Sequence, residues 1–222
     1  MMHTTHTRTI AAATACLAIT QATAGLAFSD ARRFYGLSPA GNTAISDTVE
    51  TIGQLNLDLQ CTASNPAGTT NVKLNHESVI NSTTYKTASE FSIVASETSP
   101  RAPQTGALMI NSAIMTLSHQ SSIRFNYDIN QNRPKGFFSL LVQDQSDQTL
   151  INFTTLTPQH GTFQLDLNPG TYSILEFSSI TGLSTNESGL WTLSSTLHIT
   201  SVPTPTPTAA LTTPLILTRR RR

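Results

Sequence analysis

Charge is scarce in this chain. Only 12% of its 222 residues are Asp, Glu, Lys or Arg, about half the usual share. The 13 basic and 13 acidic residues cancel overall. Five of the basic ones, however, sit at the two ends: Arg8, and Arg219 to Arg222. The other eight share the body with every Asp and Glu, so the body is mildly acidic. That argues against nucleic acid as a partner, since phosphate binding needs clustered Lys and Arg.

Cysteine is nearly absent. Cys16 lies in a leader-like segment and Cys61 in the body, so no disulfide framework holds the fold. Cys61 ends the alternating run "QLNLDLQC" and reads as a small buried apolar residue. Tryptophan occurs once, at Trp191. No stretch of about twenty apolar residues is present, so none matches a full-length membrane helix. Glu, Lys and Arg, the usual helix formers of protein surfaces, are replaced by Ser and Thr, roughly a quarter of the chain. Threonine's branched Cβ suits a pleated surface better than a helix.

Where patterning exists, its period is two. Leu55, Leu57, Leu59 and Cys61 alternate with polar residues. So do Val72 and Leu74, Phe91 and Ile93, and Ile123, Phe125, Tyr127 and Ile129. The stretch "ALMINSAIMTL" is apolar but less regular, and "LWTLSSTLHI" predicts a long last strand with Trp191, Leu193, Leu197 and Ile199 on one side. Such alternation places one face on a core and one in water. "VQDQSDQTLI" predicts a hairpin joining 138–142 to 150–153. Asn168-Pro169-Gly170-Thr171 has Pro and Gly where a type II turn needs them. It predicts a second hairpin pairing Phe163, Leu165 and Leu167 with Tyr172, Ile174 and Phe177. "SETSPRAPQTG" reads as a long surface loop. Short strands, polar turns and no helical period together predict an all-β, antiparallel two-sheet sandwich, either jelly-roll or immunoglobulin-like.

Chemistry-bearing motifs are few. Asp128, Asn130 and Asn132 alternate as oxygen donors, as at the start of some calcium loops, but Arg133 and Pro134 follow where glycine is expected. His76, His119, His160 and His198 lack zinc-site spacing. No serine has the glycine-flanked setting of a hydrolase nucleophile. Trp191, with Tyr85 and Tyr127, is the available aromatic set for stacking a sugar ring.

The ends carry the clearest signals. Residues 1–27 run from a polar start through an apolar stretch, Ile10 to Ile19, to small residues. This is the layout of a secretory signal peptide, with cleavage candidates at Ala24 and Ala27. The domain is expected over 28–201. At the other end Pro203, Pro205 and Pro207 alternate with threonine, then comes the apolar stretch 209–218, then four arginines.

This order resembles the PEP-CTERM sorting signal of bacteria that export proteins through an exosortase. Val202, Pro203, Thr204 and Pro205 occupy the motif position, with Thr204 where glutamate is commonest in the family. Residues 209–218 stand for the membrane segment and Arg219, Arg220, Arg221 and Arg222 for the cytoplasmic basic lock, held inside by the positive-inside effect. "HGTFQLDLNPGTYSILEFSS" is similar to hairpins common in the exported domains that carry this signal. The resemblance implies a signal peptidase and an exosortase-type enzyme as partners, transient anchoring in the inner membrane, and a final place at the cell surface or in the extracellular matrix. The reading is a non-enzymatic protein of structural or adhesive role, with no cofactor beyond the calcium candidate. A carbohydrate-binding module, with surface polysaccharide as partner, is the alternative, and a secreted hydrolase or lyase the third reading.

Overall fold

The computed structural model describes residues 25–39, 45–65, 68–96, 105–181 and 188–202. These form twelve strands: β1 (Leu26–Ser38), β2 (Ile45–Glu50), β3 (Gly53–Asn65), β4 (Gly68–Ile80), β5 (Tyr85–Ala95), β6 (Gly106–Leu117), β7 (Ser121–Gln131), β8 (Gly136–Asp144), β9 (Thr149–Thr155), β10 (Gln159–Leu167), β11 (Gly170–Thr181) and β12 (Gly189–Val202). They make two six-stranded antiparallel sheets. Sheet A runs β2-β1-β6-β11-β8-β9 and sheet B runs β10-β7-β12-β5-β4-β3.

The pairing decides between the two kinds of sandwich. β5 pairs with β12, β6 with β11, β7 with β10, and β8 with β9. The last eight strands are therefore one long hairpin folded over on itself. The roll is closed where β12 meets β7 and β11 meets β8. That is a jelly roll. β1 and β2 extend sheet A beyond β6, while β3 and β4 extend sheet B beyond β5.

Alternation sets the core. On β5 the inward side chains are Tyr85, Thr87, Ser89, Phe91, Ile93 and Ala95. On β12 they include Trp191, Leu193, Leu197 and Ile199, all at most 1% exposed. Each large apolar side chain so buried contributes roughly 1.5–3 kcal/mol. Cys61 is also buried, and burial pushes its thiol pKa up, away from the reactive thiolate. Under β8, β9 and β10, Tyr127 stacks on Phe163 with ring centroids 5.3 Å apart, and Phe153 lies 4.7 Å from Tyr127.

One predicted hairpin exists and one does not. β8 and β9 pair with Val142 opposite Ile151 and Leu140 opposite Phe153. By contrast, the Asn168–Thr171 turn joins different sheets. Phe163, Leu165 and Leu167 pair with Phe125, Ile123 and Ser121 on β7, whereas Tyr172 and Ile174 pair with β6 and β8. The turn is a corner of the roll. The Tyr172 hydroxyl pins it by donating to the Asn168 carbonyl at 2.8 Å. Turn chemistry specifies a reversal of the chain, but the partner of each strand is set by contacts far away in sequence.

β1 was hidden by a bulge. Ser29 pairs with Ile114 and Arg32 with Ser112, so one extra residue is accommodated around Asp30, whose φ is +48°. The inward positions change from even (Leu26, Phe28) to odd (Ala31, Arg33, Tyr35, Leu37). No period-two reading survives that switch.

Gly106 lies where the chain is closest. A Cβ there would sit 2.3 Å from the Ile180 carbonyl oxygen and 2.8 Å from Thr181 Cγ2. Because backbone cannot move aside cheaply, Gly106→Ala is expected to destabilise the sandwich by about 2 kcal/mol, read as a lowered urea midpoint with an unchanged m-value.

Candidate functional site

The outer face of sheet B carries a grid of polar side chains set by strand register. One row runs Asn56, Glu77, Ala88, Thr196, Asp128. The next runs Asp58, Asn75, Glu90, Ser194, Asn130. Neighbouring members lie on strands about 4.8 Å apart. The floor is made of small residues, Ala88, Ser194 and Thr196, while longer carboxylates and amides rise on both sides. The result is a groove of about 570 Å³ across β3, β4, β5 and β12. Glu90 and Ser194 also border a second hollow of about 320 Å³ lined by Asn130, Asn132 and Thr192. Lys73 binds Asp58 at 3.3 Å at one margin. Carboxylates and amides so arrayed accept and donate hydrogen bonds to a hydroxyl-rich ligand.

Sheet A is different outside. Phe34, Ile110 and Phe177 lie in one cross-strand row, and Phe137 contacts Phe177 edge-on with centroids 5.4 Å apart. Phe34 and Leu175 are exposed. Sheet A thus carries an apolar patch on its outer face, and sheet B an array of acids and amides.

Between the sheets runs a band of buried polar residues. Arg33, Asn111 and Glu176 are register neighbours across β1, β6 and β11, all pointing inward. Opposite them lie Ser78 and Thr87, and the row His76, Ser89, Ser195. Glu176 Oε2 accepts from Thr87 Oγ1 at 2.7 Å, Asn111 Nδ2 at 3.2 Å and the Tyr85 hydroxyl at 3.3 Å. Burial pushes the Glu176 carboxyl up to about 7, despite those three donors. Arg33 Nη1 and Nη2 donate to the Thr51 and Gly53 carbonyls at 2.5 and 2.8 Å, fastening the link from β2 to β3. His76 Nδ1 meets Ser89 Oγ at 2.9 Å. Burial, then the Arg33 charge, hold the His76 imidazole down to about 3. Ser178 and Ser195 bond across the sheets at 2.8 Å.

Known proteins offer little likeness. The chain matches no family model and no curated protein. Among solved structures it is similar to the enzymatically active domain of tailspike protein 4 of bacteriophage CBA120, with 10% identity over 68% of this chain and 19% of that one, at a TM-score of 0.30. It is also similar to a GH31 alpha-xylosidase from Xanthomonas citri, with 9% identity over 77% of this chain and 28% of that one, at a TM-score of 0.25. The chain spans less than a third of either.

Asp128 and Asn130 stand on β7, where Asn130 Nδ2 donates to Asp128 Oδ1 at 3.0 Å. Asn132 is spent on β12: it accepts from the Thr192 amide at 2.8 Å and donates to the Leu190 carbonyl at 3.0 Å. The three therefore do not close a loop around a cation. Among the described residues no group of three or more His, Cys, Asp or Glu is arranged to hold a metal. The histidines are dispersed: His76 is in the core, His119 accepts from the Gly25 amide at 3.3 Å, His160 on β10 stands opposite Asp128 in the strand register, and His198 is exposed on β12. Trp191, Tyr85 and Tyr127 are all buried, so none offers a sugar-stacking face.

At the ends, Ala27 is paired within β1, opposite Thr116. Ala24 lies outside the described residues, and cleavage there leaves β1 whole. Val202 is the last residue of β12. Pro203, Thr204, Pro205 and the arginine run also lie outside the described residues. No helix among the described residues is long and apolar enough to cross a membrane.

The groove and the buried band escaped the sequence reading for different reasons. The groove needs four strands in register. The band puts Arg, Asn, Glu and His at inward positions, where alternation assigns apolar residues. The irregularity of "ALMINSAIMTL" was the one visible trace, because Asn111 occupies an inward site of β6.

Proposed function

We propose that this is an exported, non-catalytic protein of the cell surface or extracellular matrix that holds a surface polysaccharide along the sheet B groove. The observation that carries the reading is the grid of Asn56, Asp58, Asn75, Glu77 and Glu90 over a floor of Ala88, Ser194 and Thr196. A carboxylate takes two hydroxyl donors from one sugar, and an amide both gives and takes. Repeating strands present these groups at a repeating distance, which suits a repeating polymer. With Trp191, Tyr85 and Tyr127 buried, recognition at the groove runs through hydrogen bonds rather than stacking. The secretion-like start and the PEP-CTERM-like tail support export, and the apolar patch of Phe34, Ile110 and Phe177 on sheet A suits a structural role in an assembled layer.

A glycan array probed with the full chain, with and without calcium, tests the reading. Binding is expected to at least one extended glycan. The double variant Glu77→Gln, Glu90→Gln should weaken it tenfold or more, since hydrogen bonds to charged groups contribute about 1.5–3 kcal/mol each. Capture that is unaffected by the double variant would place the ligand elsewhere, and no capture on any glycan would remove polysaccharide as the partner.

A further inference from the structure

The Glu176 cluster has an arrangement that ordinary core packing does not require. One carboxylate oxygen accepts from a hydroxyl of one sheet, Thr87 Oγ1 on β5 at 2.7 Å, and from an amide of the other, Asn111 Nδ2 on β6 at 3.2 Å. A nucleophile, an acyl carbon bearing a leaving group and a proton carrier are thus gathered on one atom. Thr87 and Glu176 are 0% exposed and Asn111 is 1% exposed. We infer that Thr87 and Asn111 are the reactants of a self-forming ester cross-link between the two sheets, with Glu176 as the residue that carries the proton.

The step balances without a co-reactant. Glu176 Oε2 takes the proton from Thr87 Oγ1 as that oxygen attacks the Asn111 side-chain carbonyl carbon. The Oγ1–Cγ bond forms and a tetrahedral centre develops. Glu176 then passes the proton to Nδ2, the Cγ–Nδ2 bond breaks, and ammonia departs. The carboxylate ends as it began, and the product is a Thr87–Asn111 ester.

Three further observations fit these roles. With its pKa pushed up to about 7, the Glu176 carboxyl is present in both forms at neutral pH, as a group that must take and return one proton requires. Tyr85 donates to the same Oε2 at 3.3 Å and holds it in place. Arg33, the register partner of Asn111 on β1, puts a cationic side chain on the strand beside the carbonyl where negative charge develops. Its Nε and Asn111 Oδ1 are both buried without a hydrogen-bond partner, so a donor and an acceptor stand unused on neighbouring strands. Exclusion of water protects the ester once formed.

Mass spectrometry decides the matter. The intact mass of the purified mature chain, held at pH 7, should fall below its sequence mass by one ammonia, about 17 Da. Trypsin should release the peptide 87–101 covalently joined to 102–124. Thr87→Val and Glu176→Gln should each retain the full sequence mass, and Thr87→Ser should restore the loss. A wild-type chain at its sequence mass, with no joined peptide, overturns the inference. So does a loss of ammonia that persists in Thr87→Val, which would mark an intrastrand succinimide at Asn111. A loss that persists in Glu176→Gln removes the role given to the carboxylate.

Discussion

A His76→Gln variant is expected to gain about 3 kcal/mol over the wild type as the pH is lowered from 7 to 4. The imidazole is 1% exposed, with Nδ1 on Ser89 and Nε2 without a hydrogen-bond partner. Burial, and then the Arg33 charge, lower its pKa from 6.5 to about 3. The unfolded chain binds a proton at this site below about 6.5, whereas the folded chain does not until about 3. Stability is therefore present above 6.5 and is lost as the pH falls toward 3, by about 1.4 kcal/mol per unit. Glutamine keeps a polar partner for Ser89 and does not titrate.

Glu176 acts with the opposite sign. Its pKa is raised from 4.5 to about 7 by burial. Its contribution is intact below 4.5 and is lost as the pH rises through 7. In the wild type the two slopes cancel between about 4.5 and 6.5, so these groups produce a plateau. In the variant only the Glu176 slope remains, and stability declines across that interval. Urea unfolding of both proteins from pH 4 to 7 checks this, and the difference between the curves removes the other titrating groups. Two parallel curves would mean that His76 titrates as it does in the unfolded chain.

Trp191→Ala carries the largest effect expected of a core truncation. Trp191 is the bulkiest fully buried side chain, on the central strand β12. The Arg133 guanidinium lies 4.9 Å from its ring centroid. Truncation leaves a large void and removes the ring beneath the exposed Arg133, at a cost of about 4 kcal/mol. For a chain of this size that lowers the melting temperature by roughly 10 °C. Trp191→Phe should cost much less. Below the melting transition, glycan capture by Trp191→Ala should match the wild type, because the groove residues lie on the outside of the sheet and the indole on the inside. A folded Trp191→Ala protein that no longer binds the same glycan would return the ligand to an aromatic platform.

The contrast between these two residues shows how far the sequence could be read. Trp191 was legible: it sits in an alternating run, and its burial follows from parity alone. His76 shares the inward parity of Val72 and Leu74, yet parity does not say what would partner a buried imidazole. Its environment comes from Ser89 on the next strand and Arg33 on the other sheet. Arg33 itself reaches the core only because the bulge at Asp30 reverses the parity of β1.

The sequence by itself determined the all-β class, the inward face of most strands, the hairpin between β8 and β9, and the acidic balance of the body. Those properties follow from local rules: a side-chain period of two, the φ demands of turns, and charge counting. Tertiary structure alone decided that the sandwich is a jelly roll, that the Asn168–Thr171 turn changes sheets, that Glu77 and Glu90 flank one groove, and that Glu176 meets Thr87 and Asn111. Each of these depends on which strands lie side by side and in what register. That choice is made by packing among segments far apart in the chain, which no short window of sequence contains.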